Sequence, residues 1–145
     1  MYTLNSSDGF NTFDYSKDIM KVIVYNINQE EKELLALANR KIHKITIITD
    51  PLNENTVHFA EAKDAVIIMG QENQLSHSFI LKLISLGIQY LILRSAEEFF
   101  VDLSIIKNSG VQYNIIECTD SRLAVSLIIE ALHGWGKSDR DHMKT

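Results

Sequence analysis

The chain is poor in cysteine, since Cys118 is the single one. One cysteine cannot form an intramolecular disulfide and cannot complete a thiolate metal site. The five histidines show no metal-ligand spacing either; they are His43, His58, His77, His133 and His142. The sequence therefore predicts neither a disulfide framework nor a metal site.

Basic residues are in the minority, and long apolar runs are missing. The net charge is -5, so no basic face is expected for a phosphate backbone, and we expect no nucleic-acid partner. Apolar runs such as residues 65–69 are far shorter than the roughly 20 residues that span a bilayer. Residues 1–20 also lack the apolar core of a signal peptide. We therefore expect a cytoplasmic protein without a membrane segment.

Glycine-rich phosphate motifs are absent. Neither G-x-G-x-x-G nor G-x-x-x-x-G-K-[ST] occurs, so no motif supports dinucleotide or nucleoside triphosphate binding. The loop 26–30 has no glycine and ends in a carboxylate, which argues against a flavodoxin phosphate loop. Asp64 lies before the third predicted strand instead of at its end, which argues against a phosphoacceptor receiver domain. These classes are excluded by what the loops lack.

Composition indicates one domain, because 145 residues with 46% hydrophobic residues suffice for a single core. Residues 1–19 are rich in Asn, Ser, Asp and isolated aromatics without periodicity. They predict an extension that is flexible or laid on the surface. The folded unit is predicted over residues 20–135, and the polar residues 136–145 are predicted to be a disordered tail.

Short β-branched runs alternate with helical patterns along the folded unit. Strands are predicted at 22–25, 44–49, 65–69, 90–93 and 111–116, and helices at 30–40, 56–62, 76–86, 103–108 and 121–132. Gly87 and Gly110 stand where left-handed caps would end two helices. Strands that are apolar throughout predict a parallel sheet covered on both faces. The predicted fold is α/β, a flavodoxin-like three-layer sandwich whose five-stranded parallel sheet has the order 2-1-3-4-5.

Several motifs, in order and spacing, resemble the N-terminal substrate (catalytic) domain of the D-isomer-specific 2-hydroxyacid dehydrogenase family, especially D-lactate dehydrogenases. Residues 20–25 (Met-Lys-Val-Ile-Val-Tyr) are similar to the family's opening strand. Residues 51–57 (Pro-Leu-Asn-Glu-Asn-Thr-Val) are similar to its Leu-Asn-Glu-x-Thr-Val turn, and residues 63–66 to its entry into strand three. Residues 86–95 match its Gly-[IV]-[KR]-[FY]-[LI]-x-x-Arg strand, and residues 102–111 its Asp…Gly-[IV] segment. The resemblance extends from Met20 to about Trp135.

The loop after the fourth strand departs from the family. There the loop reads Arg-Asn-Val-Gly-Thr-Asp-Asn-Ile-Asp, and the resemblance implies that its Val-Gly amides receive the substrate carboxylate. Here Glu97 replaces the glycine and Glu98 follows it, which adds side chains and negative charge near an anion site. Alternatively, both carboxylates point to solvent while Phe99 or Phe100 caps the core. The substrate-loop candidates are Arg94, Ser95, Ala96, Glu97 and Glu98.

Three further residues are candidates for a cleft. His77 stands near a helix start, where a surface or capping role is the alternative to orienting a substrate. Cys118 follows the fifth strand at a helix start, where the helix dipole favours a thiolate; burial as an inert thiol is the alternative. Arg122 is a potential anion ligand or a solvated side chain. Thr119 or Asp120 is predicted to cap that helix.

The resemblance also implies what this sequence does not contain. In the family, NAD and the catalytic Arg, Glu and His belong to a second domain, so neither a cofactor site nor a catalytic residue is predicted here. We expect a stand-alone, catalytically inactive module that binds a small organic acid or a protein partner through the loop 94–102. The alternatives are a substrate half completed in trans by an NAD-binding subunit, and a homo-oligomer that buries the exposed surface.

Overall fold

Five parallel strands form one open sheet in the computed structural model, which describes residues 19–71, 75–96 and 104–144, with residues 136–144 described for the backbone only. The strands are β1 (Lys21–Tyr25), β2 (Lys44–Ile48), β3 (Ala65–Met69), β4 (Tyr90–Ser95) and β5 (Gln112–Glu117). Their spatial order is β2-β1-β3-β4-β5, and every neighbouring pair is parallel. The predicted fold class and the strand order 2-1-3-4-5 are confirmed.

Helices cover both faces of the sheet, because the central strands are apolar on both sides. The helices are α1 (Gln29–Asn39), α2 (His77–Ser85), α3 (Ser104–Lys107) and α4 (Ser121–Lys144), with a 3-10 turn at Val57–Ala60. Val22 and Val24 of β1 point to the core under α1 and α4, whereas Ile23 and Tyr25 point to the core under α2 and α3. This alternation follows from the two-residue period of a strand.

The element boundaries depart from the sequence prediction by more than one residue at three places. The helix predicted over 56–62 is only a 3-10 turn, because Glu61 is extended and Ala62 has φ +67°. Strand β4 runs two residues further than predicted and takes in Arg94 and Ser95, which pair with Ile116 and Glu117. Helix α4 continues beyond its predicted end at 132 to Lys144, so its backbone is helical through residues for which a disordered tail is predicted.

Other local predictions agree with the structure. Gly87 and Gly110 have φ values of +90° and +86°, the left-handed conformation predicted for them. The predicted N-terminal extension lies outside the described residues except for Ile19. No helix in the described part of the chain is both long and apolar enough to cross a bilayer.

The buried tyrosine of β1 joins the sheet to the 3-10 turn. Its hydroxyl donates a hydrogen bond to the carbonyl oxygen of Thr56 at 2.8 Å, and its side chain is fully buried. Burial disfavours the phenolate and raises the pKa of Tyr25 from 10.0 to about 12. The interaction fixes the connection between β2 and β3 against the centre of the sheet.

Tyr25 is therefore expected to titrate well above the ordinary pKa of a tyrosine. Because its folded pKa lies above its unfolded value, the stability it contributes is present below pH 10.0 and is lost as the pH rises through about 12. The difference in unfolding free energy between wild type and Tyr25→Phe, about 1 kcal/mol at neutral pH, should shrink over that range. Urea unfolding and the near-ultraviolet absorbance of phenolate measure both effects. A titration of Tyr25 at the ordinary tyrosine pKa would contradict the prediction.

Candidate functional site

The first two predicted substrate-loop residues are part of the sheet. Arg94 and Ser95 lie at the carboxyl end of β4, and their exposed fractions are 8% and 1%. The loop prediction was wrong at these two positions because β5 continues alongside β4 and pairs with both residues. Ala96 is exposed at a bend just after the strand, whereas Glu97 and Glu98 lie outside the described residues.

The guanidinium group of Arg94 is bound by three acceptors from two parts of the chain. Its Nη1 forms an ion pair with the Glu31 carboxylate on α1. Its Nε donates to the carbonyl oxygen of Cys118 at 3.1 Å, and its Nη2 donates to that of Thr119 at 3.4 Å. Arg94 thus links its own strand to α1 and to the connection between β5 and α4.

The carboxylate of Glu31 is the second half of this buried cluster, and the sequence analysis did not identify it as a site residue. Its Oε2 accepts from Arg94 and from the Ser121 hydroxyl at 3.2 Å, and its Oε1 accepts from the Asn28 amide at 3.3 Å. Asn28 in turn caps α1 by accepting from the Glu31 amide at 2.8 Å. The Asn28-x-x-Glu31 spacing signals a capping box, but only the fold reveals an arginine 63 residues away.

The side-chain amides of Asn26 and Gln71 form hydrogen bonds to the backbone at the neighbouring part of the same sheet edge. Asn26, with φ +65°, donates its side-chain N–H to the Met69 carbonyl oxygen at 2.7 Å. Gln71 is buried; its Oε1 accepts from the Leu52 amide at 2.6 Å and its Nε2 donates to the Leu52 carbonyl at 3.3 Å. The polar side chains at the ends of β1, β3 and β4 therefore bind neighbouring parts of their own chain.

This arrangement determines what the strand edge can do chemically. An anionic ligand would have to displace Glu31 from Arg94 and leave a buried carboxylate without its counterion. Breaking a buried ion pair in this way costs several kcal/mol. The Glu31–Arg94 pair therefore stabilises the fold and disfavours binding of a carboxylate ligand to Arg94.

The three cleft candidates lie in different surroundings. Cys118 is half-buried against the core under α4, and its Sγ is 3.4 Å from the Asp120 carbonyl oxygen. Arg122 is exposed in the first turn of α4, which Asp120 caps by accepting from the Arg122 amide at 2.9 Å, as predicted. His77 is exposed at the start of α2, on the opposite face of the sheet from α4. The structure brings Cys118 and Arg122 to one helix end and leaves His77 on the other face.

The described ranges contain no group of three or more His, Cys, Asp or Glu side chains arranged to hold a metal ion. Contacts among the described side chains at the strand edge are hydrogen bonds and one ion pair, with partners supplied by the chain itself. The polar groups of this edge therefore act on one another and fix its geometry.

Solved structures of D-2-hydroxyacid dehydrogenases share this fold. Salmonella D-lactate dehydrogenase is 28% identical with a TM-score of 0.59, and the match covers 67% of this chain and 30% of the enzyme. The apo Escherichia coli D-lactate dehydrogenase gives the same identity and TM-score, covering 67% and 31%. D-2-hydroxyisocaproate dehydrogenase, at 20% identity and TM-score 0.56, covers 68% and 30% and shows the fold alone.

The chain therefore corresponds to part of these dehydrogenases, spanning about 30% of their length. Comparison with protein-family models and with curated proteins found no match. The resemblance seen in the sequence motifs is confirmed by structural similarity to D-lactate and D-2-hydroxyacid dehydrogenases.

Removing the Glu31 charge should destabilise the fold far more than removing its exposed neighbour's charge. Glu31→Gln leaves Arg94 buried without a counterion, so we expect a loss of about 3 kcal/mol in unfolding free energy, measured by urea denaturation. Glu30→Gln, in the same first turn of α1, is the matched control and should cost below about 1 kcal/mol. Equal effects of the two substitutions would contradict the role given to the pair.

Proposed function

We propose that this domain is a binding module related to the substrate-side domain of D-2-hydroxyacid dehydrogenases, and that it does not carry out hydride transfer alone. Its partner is a small molecule or a protein, recognised in the cytoplasm by the segment 96–102 that follows β4. The observation that carries the proposal is the engagement of Arg94 by Glu31 and by two backbone carbonyl oxygens. Arg94, at the start of the predicted substrate loop, is already paired with the Glu31 carboxylate of the same chain.

The position of the loop supports the same proposal. Ligands of parallel α/β sheets bind outside the carboxyl ends of the strands, and the proposed binding segment follows the carboxyl end of β4. Ala96 is already exposed where the chain leaves the buried strand. The sequence then continues with Glu97 and Glu98, two carboxylates where the related dehydrogenases are expected to bind an anion. Like charges disfavour a 2-oxo or 2-hydroxy acid at that point.

A second candidate is the substrate half of a D-2-hydroxyacid dehydrogenase completed by an NAD-binding subunit. It is favoured by the sequence identity with the two D-lactate dehydrogenases, which exceeds what a shared fold alone requires. In this arrangement the nicotinamide cofactor belongs to the other subunit, and this domain contributes the substrate loop. The two candidates differ in whether the loop accepts a 2-hydroxy acid.

Ligand-induced thermal shifts distinguish them. We expect no change in the Tm of wild type with 2-oxo acids, 2-hydroxy acids or NAD, because Glu97 and Glu98 repel the anion. Glu97→Gly should restore a positive shift with an organic acid, and at ten times the Kd the rise is about 4 °C. Glu98→Gly removes the same charge but leaves the side chain of Glu97 at the glycine position, so as the control it should give a smaller shift than Glu97→Gly. A shift of wild type with D-lactate or pyruvate would refute the proposal and favour the second candidate.

Complementation provides an independent measurement for the second candidate. The domain is mixed with the NAD-binding domain of Escherichia coli D-lactate dehydrogenase, and D-lactate-dependent formation of NADH is followed by absorbance. Under the binding-module proposal the mixture stays inactive with wild type. NADH formation that requires both components would instead establish the domain as a substrate half.

A further inference from the structure

An open groove of about 500 Å³ lies between α1 and α4 on the outside of the domain, and one end of it reaches Arg122 in the first turn of α4. Its apolar lining includes Leu34 and Leu37 of α1 and Val125 and Ile129 of α4, with Ile42 just beyond the end of α1. We refer to it as the α1–α4 groove. None of the described residues that line the groove belongs to the segment 94–102, so the occupancy of the groove is independent of the proposed function.

Two apolar residues of the α1–α4 groove are exposed to solvent, whereas Val125 and Ile129 in its floor are buried. Leu37 is 75% exposed and Ile42 is 39% exposed, although both are large hydrophobic residues. Covering them would remove apolar surface from water, which is favourable by about 25 cal/mol per Å². Exposed apolar clusters of this kind are typical of surfaces that another segment covers.

The groove is also positively charged, in contrast to the protein as a whole. Arg40 lies at the C-terminal end of α1, and Arg122 lies in the first turn of α4. None of the described residues that line the groove carries a carboxylate, whereas the chain has a net charge of -5. The chemistry of the groove therefore fits a segment that is both apolar and acidic.

The N-terminal residues of this chain join the domain beside one end of the groove. The Met20 amide donates to His43 Nδ1 at 3.1 Å. The ring of His43 lies 5.1 Å, centroid to centroid, from that of His133, which lines the groove. Met20 therefore lies near one end of the groove, and also beside a second pocket, between α1 and β2, which His43 itself lines.

The residues that precede this point have the required chemistry. Residues 8–18 read Asp-Gly-Phe-Asn-Thr-Phe-Asp-Tyr-Ser-Lys-Asp, which combines three aromatic side chains with three aspartates and one lysine. Aromatic rings suit the apolar lining of the groove, and the excess of carboxylates is complementary to the two arginines. The segment therefore matches the groove in apolar character and in charge.

The segment is long enough to follow the whole groove. His133 and Arg122 mark its two ends on α4, and a separation of 11 residues corresponds to about 17 Å at the rise of an α-helix. An extended chain covers that distance with about five or six residues. Residues 8–18 thus provide more than the length required.

We propose that residues 8–18 occupy the α1–α4 groove of their own molecule, with Phe10 and Phe13 against Leu37 and Ile42 and the aspartates near Arg40 and Arg122. Because the segment is tethered beside the groove, its effective concentration there is of the order of millimolar. A weak intrinsic affinity is therefore sufficient to keep it bound.

Paramagnetic relaxation in the full-length chain tests this placement directly. A nitroxide is attached at Thr12→Cys in a Cys118→Ala background, and the methyl signals of leucine and isoleucine are recorded by NMR. Leu37 and Ile42 should lose most of their intensity. Leu81, an exposed leucine of α2 on the opposite face of the sheet, should keep its intensity.

A matched pair of substitutions tests the apolar contact. Leu37→Glu should restore the Ile42 signal, because it adds a carboxylate to the lining and repels the aspartates. Leu81→Glu places the same side chain at an exposed leucine far from the groove and should leave the Ile42 broadening unchanged. Both positions are exposed, at 75% and 51%, so neither substitution disturbs the core.

Three outcomes would overturn the proposal. Absence of broadening at Leu37 and Ile42 excludes the contact, and broadening at Ile45 and Ile47 instead would place the segment on the other flank of α1. Broadening between a spin-labelled chain and a separate isotope-labelled chain would identify a second copy as the occupant. Should the cysteine variant fail to fold, full-length Phe10→Ser/Phe13→Ser provides the test, since it should shift the methyl signals of Leu37 and Ile42 only.

Discussion

The ion pair between Glu31 and Arg94 is the contact on which the carboxyl edge of the sheet depends. Burying two charges is unfavourable unless their remaining hydrogen-bonding atoms are also satisfied. Here the Ser121 hydroxyl and the Asn28 amide donate hydrogen bonds to the Glu31 carboxylate, and two backbone carbonyl oxygens accept hydrogen bonds from the Arg94 guanidinium. One cluster therefore joins the start of α1, the end of β4 and the start of α4.

The Glu31–Arg94 pair affects two surfaces in different ways: the carboxyl edge of the sheet and the α1–α4 groove. At the strand edge, the charges of the described cluster are neutralised within the chain, so recognition falls to the loop that leaves β4. Along the outside, the same helices α1 and α4 form a groove lined by apolar side chains and two arginines. The pair holds both helix starts in place, and it thereby sets the geometry of the groove as well as that of the loop.

The agreement between sequence and fold has a simple physical origin. Runs such as Val22 to Tyr25 are apolar on consecutive residues, a pattern suited to a strand buried on both faces, and Gly87 and Gly110 supply the left-handed conformations that end the helical patterns. Strand ends were less predictable. Arg94 reads as a loop residue because it is charged, yet pairing with β5 extends the strand through it. The 3-10 turn at Val57–Ala60 was likewise mistaken for a helix because its apolar spacing suits either form.

The sequence by itself determined the α/β class, the strand order, the resemblance to D-2-hydroxyacid dehydrogenases and a cap of α4 at Thr119 or Asp120, since each depends on local periodicity, on residues close in the chain or on motif order. Only the tertiary structure decided that Arg94 is paired with Glu31 and that Leu37, Ile42 and two arginines line one groove. These relations join residues distant in sequence, and no local pattern encodes which side chains meet when the strands align and the helices pack on them.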